Sequence, residues 1–351
     1  MRIPAKSPQA HEANLLVIGL QAYFVSKLNA LALEYGEGKS CVEVSWERDK
    51  GKHGGGVRYE ARDEKVFNRG SVNISQVHYD DDADKKLGSA TALSTIIHPR
   101  NPHAPSMHMH ISWTEMRDGS GYWRIMADLN PSILSESPFD KKAFDDMLQH
   151  VTGDLYEEGA KQGDRYFYIP VLERHRGVSH FYLEGYNSGN FENDKKFAKK
   201  VGEAVIDRYI ATVSKKIAGF TTITQKDNEE QLAYHTLYLF QVLTLDRGTT
   251  SGLLVHDQND VGIMGSIPSH VDRELLKKWV PKMPKPQDEL LVSLIKALPY
   301  KESPALVDEK TKKALAKAVR KHYKKYPQAL HMQASGNIVP PTVDNHIAKM
   351  K

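Results

Sequence analysis

The sequence predicts an α+β fold, a large and mostly antiparallel sheet flanked on both faces by helices. Three observations predict it. Runs of alternating apolar and polar residues fill the first half, some joined by hairpin signals such as Asp118-Gly119-Ser120. Apolar residues recur at helical spacing in separate blocks. Strands and helices do not alternate regularly and no glycine-rich dinucleotide fingerprint is present, which argues against a doubly wound parallel sheet.

The elements follow in order. Residues 14–35 read as an amphipathic helix packed on a core; Gln21, Lys27, Asn29 and Glu34 make it too polar for a membrane span or a secretory signal. Residues 41–48 (CVEVSWER) alternate as a half-buried strand does. Gly54, Gly55 and Gly56 mark a turn or a close approach of backbone to a ligand. Residues 57–79 are further strand material. The acidic run 80–84 (DDDAD) is a solvated loop, with metal binding as the alternative.

Residues 92–98 (ALSTIIH) form a buried strand that stops at Pro99, and 107–117 and 121–128 form a hairpin. Ser137 caps a helix with Pro138 in its first turn, and Phe139, Ala143, Met147, Val151 and Leu155 supply its apolar face. Residues 180–186 are a strand. Phe197, Val201, Val205, Tyr209, Val213 and Ile217 mark a second long helix. Residues 237–245 read as a strand that turns at Asp246-Arg247-Gly248 and returns over 252–256.

Residues 1–280 are expected to form a catalytic domain, and 281–351 a Pro/Lys-rich basic extension carrying a helix. That helix, 310–325, holds eight lysines and arginines around a thin stripe of Leu315, Val319 and Tyr323, and reads as a solvated surface helix. One cysteine, Cys41, allows no disulfide within the chain and fits a reducing compartment, the cytoplasm. A net charge of +4 is far from that of a dedicated nucleic-acid binder but suits a polyanionic ligand.

Four segments carry chemistry. The first, 94–112, holds His98, His103, His108 and His110. On a strand, His108 and His110 share one face, opposite Met107, Met109 and Ile111. Such a pair can bind a metal, move protons or hydrogen-bond a polar ligand. Three prolines stiffen the loop around Arg100 and His103. The second is Arg124 to Pro131, where Asp128 ends an apolar strand and can accept a ligand N–H or cap a turn. The third is a basic cluster around Arg176, either a carboxylate fork or a surface patch. In the fourth, Asp246 and Arg247 either pair with each other or face a ligand.

In this order the segments resemble the oxygen-dependent coproporphyrinogen III oxidase family. Residues 42–56 (VEVSWERDKGKHGGG) resemble its E-x-x-W-x-R and glycine run, and 67–78 (FNRGSVNISQVH) its F-x-x-x-G-V-N-x-S-x-V-H. Residues 94–108 match S-x-x-x-H-P-R-N-P-x-x-P-x-x-H closely. Residues 128–131 (DLNP), 176–178 (RGV), 246–253 (DRGTTSGL) and 266–268 (SIP) are similar to later elements of the pattern. The chain departs from it where His110 and Ser112 replace an asparagine and an arginine, at Ser179 and His180, at Glu184 and Gly185, at Val171, and at a missing glycine-glycine-arginine element near 257–260.

The resemblance implies a homodimeric enzyme of heme biosynthesis that oxidatively decarboxylates two propionates of coproporphyrinogen III to vinyl groups, giving protoporphyrinogen IX. Molecular oxygen is the co-substrate and no organic cofactor is required. Where a metal is bound at all, His98 and His108 are its candidates. The resemblance implies His108, Asp128 and Arg247 as catalytic residues. Ser94, His98, Arg100, His110, Arg124, Arg176 and Asp246 are the expected substrate contacts. Its alternatives are a related oxidase with an altered tetrapyrrole substrate and a non-catalytic tetrapyrrole-binding or regulatory protein. Neither nucleic acid nor a membrane span is expected.

Overall fold

A computed structural model describes residues 2–256, 259–336 and 342–346. Residues 257 and 258, where part of the missing glycine-glycine-arginine element would fall, lie outside the described residues, as do 337–341 and 347–351 of the basic extension.

Helix α1 (Pro8–Tyr35) starts at Ser7, whose hydroxyl accepts from the Ala10 N–H at 3.2 Å. By length and hydropathy it could cross a membrane, yet half of its apolar window is buried. Ala13, Val17, Leu20, Phe24, Leu28 and Leu31 form the buried stripe, as the spacing predicts.

The sheet strands are β1 (Val42–Glu47), β2 (Gly54–Glu60), β3 (Phe67–His78), β4 (Leu87–Pro99), β5 (Ser106–Met116) and β6 (Gly121–Asn130). Then come helices α2 (Ser137–Thr152) and α3 (Tyr156–Phe167), the short pair β7 (Tyr168–Ile169) and β8 (Arg174–His175), and β9 (Ser179–Tyr186). The sheet has seven antiparallel strands in the order β1-β2-β3-β4-β5-β6-β9. The predicted α+β architecture therefore holds. The predicted turn at 118–120 joins β5 to β6, with Gly119 at φ +85°.

The glycine run opens β2 and does not make a turn. A Cβ on Gly56 would lie 2.1 Å from the Ile74 carbonyl and 2.6 Å from the Trp46 indole nitrogen, so these glycines let strands lie close. Ser137 does not cap α2; its hydroxyl donates to the Leu134 carbonyl at 2.7 Å. The buried face of α2 is Phe144, Leu148 and Val151, and Phe139 is 86% exposed. Two apolar stripes compete on that short helix, and packing selects the one with Phe144.

The remaining helices are α4 (Phe191–Gly219), α5 (Gln225–Thr244), α6 (Arg247–Val255), α7 (Asp260–Ile263), α8 (Arg273–Trp279), α9 (Gln287–Ala297), α10 (Glu309–Lys325) and α11 (Thr342–His346). The expected strands at 237–245 and 252–256 are thus helices. Every residue from Tyr234 to Thr244 is buried, which erases the amphipathic period that separates a helix from a buried strand. The helix announces itself instead at its start. Thr224 and Asp227 form a capping box, with Asp227 N–H donating to Thr224 Oγ1 at 3.2 Å and Thr224 N–H to Asp227 Oδ2 at 2.8 Å. Asp246 begins α6 as its N-cap, accepting from the Thr249 N–H at 2.6 Å.

Helices α1, α2 and α4 cover one sheet face, where Leu93, Met107, Met109 and Ile111 join their apolar side chains. On the other face Ile96 meets a second core built from α5, α6, α8, α9 and α10. The stripe of α10 is not solvated: Leu315, Val319 and Tyr323 are buried in that core with Leu290 and Leu294 of α9. Leu315→Ala is expected to destabilise the protein by about 2–5 kcal/mol. Chemical denaturation checks this, and a loss below ~0.5 kcal/mol would contradict the packing.

Candidate functional site

A cavity of about 300 Å³ opens between the second sheet face and the helical layer. Strand alternation decides its floor. On β3 and β4 the floor is small: Ser71, Asn73, Ser75, Ala92 and Ser94. On β5 and β6 it carries His108, His110, Ser112 and Arg124. The roof comes from α5 and α6. Tyr238, Gln241 and Val242 share one face of α5 at helical spacing, and Asp246 and Arg247 begin α6. His256 and His346 stand at the cavity wall.

Behind the floor lies a chain of charges. His108 Nδ1 is 2.9 Å from Asp128 Oδ1, its register partner across β5 and β6. Arg176 Nη2 donates to Asp128 Oδ2 at 2.9 Å, and Asn130 Nδ2 donates to the same oxygen at 2.6 Å. Asp128 has no solvent exposure. Burial alone would raise its carboxyl; the Arg176 guanidinium, then His108, hold it below the usual range. The ionised carboxylate takes the His108 Nδ1–H, which leaves Nε2 as the atom free to exchange a proton. Arg176 is stacked between the Phe167 and Tyr238 rings, at 4.7 and 5.1 Å.

His110 Nε2 is 2.9 Å from Ser112 Oγ. Burial, then the charges of His108 and Arg124, push His110 down to about 3, so it is neutral at physiological pH. Arg247 pairs with Glu184 of β9. Asp246 Oδ1 accepts from Tyr166 Oη at 2.8 Å, besides capping α6. Gln241 is 1% exposed, lines the cavity, and has no partner for either atom of its amide among the described residues.

The expected residues divide accordingly. Ser94, His108, His110, Arg124, Arg176, Asp246 and Arg247 line one cavity, and Asp128 touches it through His108. Two others do not belong to it. Arg100 stands on the outer surface, donating to the Glu64 carbonyl at 2.9 Å. His98 is buried in the core, with Nδ1 2.8 Å from Ser106 Oγ and Nε2 3.1 Å from the Ser266 carbonyl. Both of its ring nitrogens are therefore engaged, and it is no ligand for a metal shared with His108. Among the described residues no group of three His, Cys, Asp or Glu side chains has metal-binding geometry. The stiff proline loop positions His103 instead, against Glu136 at 2.9 Å. Asp128 also departs from its expected part, since its two oxygens face His108 and Arg176 and not the cavity.

Sequence reasoning missed Tyr238, Gln241 and Tyr166, and the part of Glu184. The first two were hidden by reading α5 as a strand; the Thr224–Asp227 capping box was the available signal.

Fold and site together define an α+β protein with a cavity between a polar sheet face and a helical roof. Residues 12–297 match the family described as Coproporphyrinogen III oxidase. The oxygen-dependent coproporphyrinogen-III oxidase of Rickettsia bellii (strain RML369-C) is 33% identical over 243 residues, covering 66% of this chain and 84% of its own. The mitochondrial oxygen-dependent enzyme of Rattus norvegicus is 30% identical over 247 residues, 64% of this chain and 55% of its own. That of Homo sapiens is 29% identical over 278 residues, 72% and 59%. The chain belongs to the coproporphyrinogen III oxidase family.

Burial also sets an acid limit. His110, His235, His256 and His346 are each lowered to about 3, chiefly by burial. Unfolding returns each to about 6.5, so below that pH the unfolded chain binds more protons than the folded one. The contribution of these imidazoles to stability is expected to be level above about pH 7 and to fall as the pH drops from about 6.5 toward about 3. Urea midpoints at pH 7.5 and 5.5, above the carboxylate range, check this. Equal midpoints would show that these imidazoles are not held neutral.

Proposed function

We propose that this protein is an oxygen-dependent coproporphyrinogen III oxidase that forms protoporphyrinogen IX in heme biosynthesis. Each of two propionic acid side chains reacts with one O2 and becomes a vinyl group, releasing CO2 and H2O2. The observation that carries this reading is an imidazole, His108, oriented by a buried ionised carboxylate at the wall of a cavity, in a chain of this family.

A porphyrinogen is electron-rich and gives its electrons to oxygen. The protein's part is to hold a flexible polyanion and direct one proton. In this reading His108 Nε2 handles that proton. Asp128 fixes the ring and its tautomer, and Arg176 keeps Asp128 ionised. Arg247, braced by Glu184, presents charge from the roof, and Asp246 holds the start of α6 in place. Ser94 and His110 contact the ligand from the floor, and the Gln241 amide offers an acceptor for pyrrole N–H groups. We infer no organic cofactor, a cytoplasmic location consistent with the lone cysteine, and a homodimer, which the mass in solution tests.

A second reading, a related oxidase with an altered tetrapyrrole substrate, is favoured by His110 and Ser112 standing where the family pattern has asparagine and arginine.

The test is conversion of coproporphyrinogen III in air, with products resolved by chromatography. The divinyl product is expected, with His108→Ala lowering turnover by at least about a hundredfold. Asp128→Asn is expected to lower turnover and also to cost about 3–5 kcal/mol of stability, since it strands Arg176 without its counter-charge. Tight binding without turnover in the unsubstituted protein would instead support a tetrapyrrole-binding protein, and full activity in His108→Ala would remove the assigned role.

A further inference from the structure

Three arginines line the cavity, and they differ in what holds them. Arg176 is paired with Asp128, and Arg247 with Glu184. Arg124 is 8% exposed and has no carboxylate within ion-pair distance among the described residues. Its Nε has no hydrogen-bond partner there either. Glu184 lies directly across from it on β9, but that carboxylate is taken by Arg247. Removing a guanidinium from water without a counter-charge is unfavourable, so such a position is completed by an anion.

The neighbours of Arg124 suit a carboxylate. Its Nη2 donates to Tyr122 Oη at 3.2 Å, and its guanidinium lies 5.0 Å from the Tyr122 ring. Tyr122 Oη also accepts from Asn345 Nδ2 of α11 at 3.4 Å. Accepting from both leaves the phenol's own O–H available to donate. Ser112, the register partner of Arg124 on β5, brings a hydroxyl. Arg124 and Asp128 are four residues apart on β6, so this corner lies roughly 13 Å along the strand from the His108 end.

We propose that Arg124, with Tyr122 and Ser112, forms a carboxylate subsite that anchors an arm of the macrocycle remote from the reacting one. The proposal rests on the tetrapyrrole reading above and adds to it a specificity residue. A carboxylate held so far from His108 is one that survives in the product, so the subsite grips substrate and product alike and sets which arm meets His108.

The experiment measures binding of coproporphyrin III, a stable tetracarboxylate, and of its tetramethyl ester, by fluorescence. The unsubstituted protein is expected to prefer the acid. Arg124→Gln should weaken acid binding by about tenfold to a hundredfold and leave ester binding unchanged. Arg124→Lys should retain part of the acid affinity. Moving the cation across the register pair, in Ser112→Arg with Arg124→Gln, should restore it, which a merely structural residue would not allow. Acid binding undiminished in Arg124→Gln, or acid and ester weakened equally with no rescue, overturns the subsite. Failure of the unsubstituted protein to bind either porphyrin overturns the tetrapyrrole reading itself, and the subsite with it.

Discussion

Asp128 has no contact with solvent and yet carries a charge, because Arg176 and Asn130 meet one of its oxygens and His108 the other. The three strands involved arrive in register for this purpose. His108 and Asp128 are partners on β5 and β6, and Asp128 faces His180 on β9. Arg176 enters from the loop before β9, where Gly177 sits at φ +83° and a Cβ on it would lie 2.8 Å from the Leu129 carbonyl. Such a buried ion pair is weak evidence for stability, because desolvation offsets most of its Coulomb energy. Its value here is orientation: the imidazole has one tautomer and one direction as long as the carboxylate stays ionised.

The sheet half of this arrangement was legible in the sequence. Alternation alone puts His108 and His110 on one face and Met107, Met109 and Ile111 on the other; the structure agrees, and the second set lies in the core. A period of two is hard to disguise where one face is apolar and the other polar. The role of Asp128 was half legible. Its place at the end of an apolar strand is visible in one dimension. That its oxygens turn toward Arg176, 48 residues later, depends on how β9 returns.

The roof was not legible, and for one physical cause. A helix buried on every side loses its amphipathic signature, so residues 237–245 look like a core strand. On a strand Tyr238 and Gln241 would fall on opposite faces, although on the helix they line one wall. The same error turned Asp246-Arg247-Gly248 into a hairpin turn, when its aspartate is a helix cap. The charge count of 310–325 misled in a related way. Six of its eight cations are exposed, and the count says nothing of Leu315 and Val319, which pack beneath them.

The cavity differs from the family pattern mainly in where its charge originates. The pattern has an arginine where Ser112 stands, on β5; here the uncommitted cation is Arg124, directly across the ladder on β6. Cross-strand partners on one face have Cβ atoms about 5 Å apart, so the charge stays over nearly the same area of the floor. What changes is the direction from which it approaches, and the void left by a serine in place of an arginine. His110 fits that change, because a neutral imidazole bonded to Ser112 adds no second charge beside Arg124. A ligand carboxylate can therefore be met by one cation without competition. On the proposed reading, the substitutions at positions 110 and 112 alter how a polyanionic ring is turned within the cavity more than whether it is held.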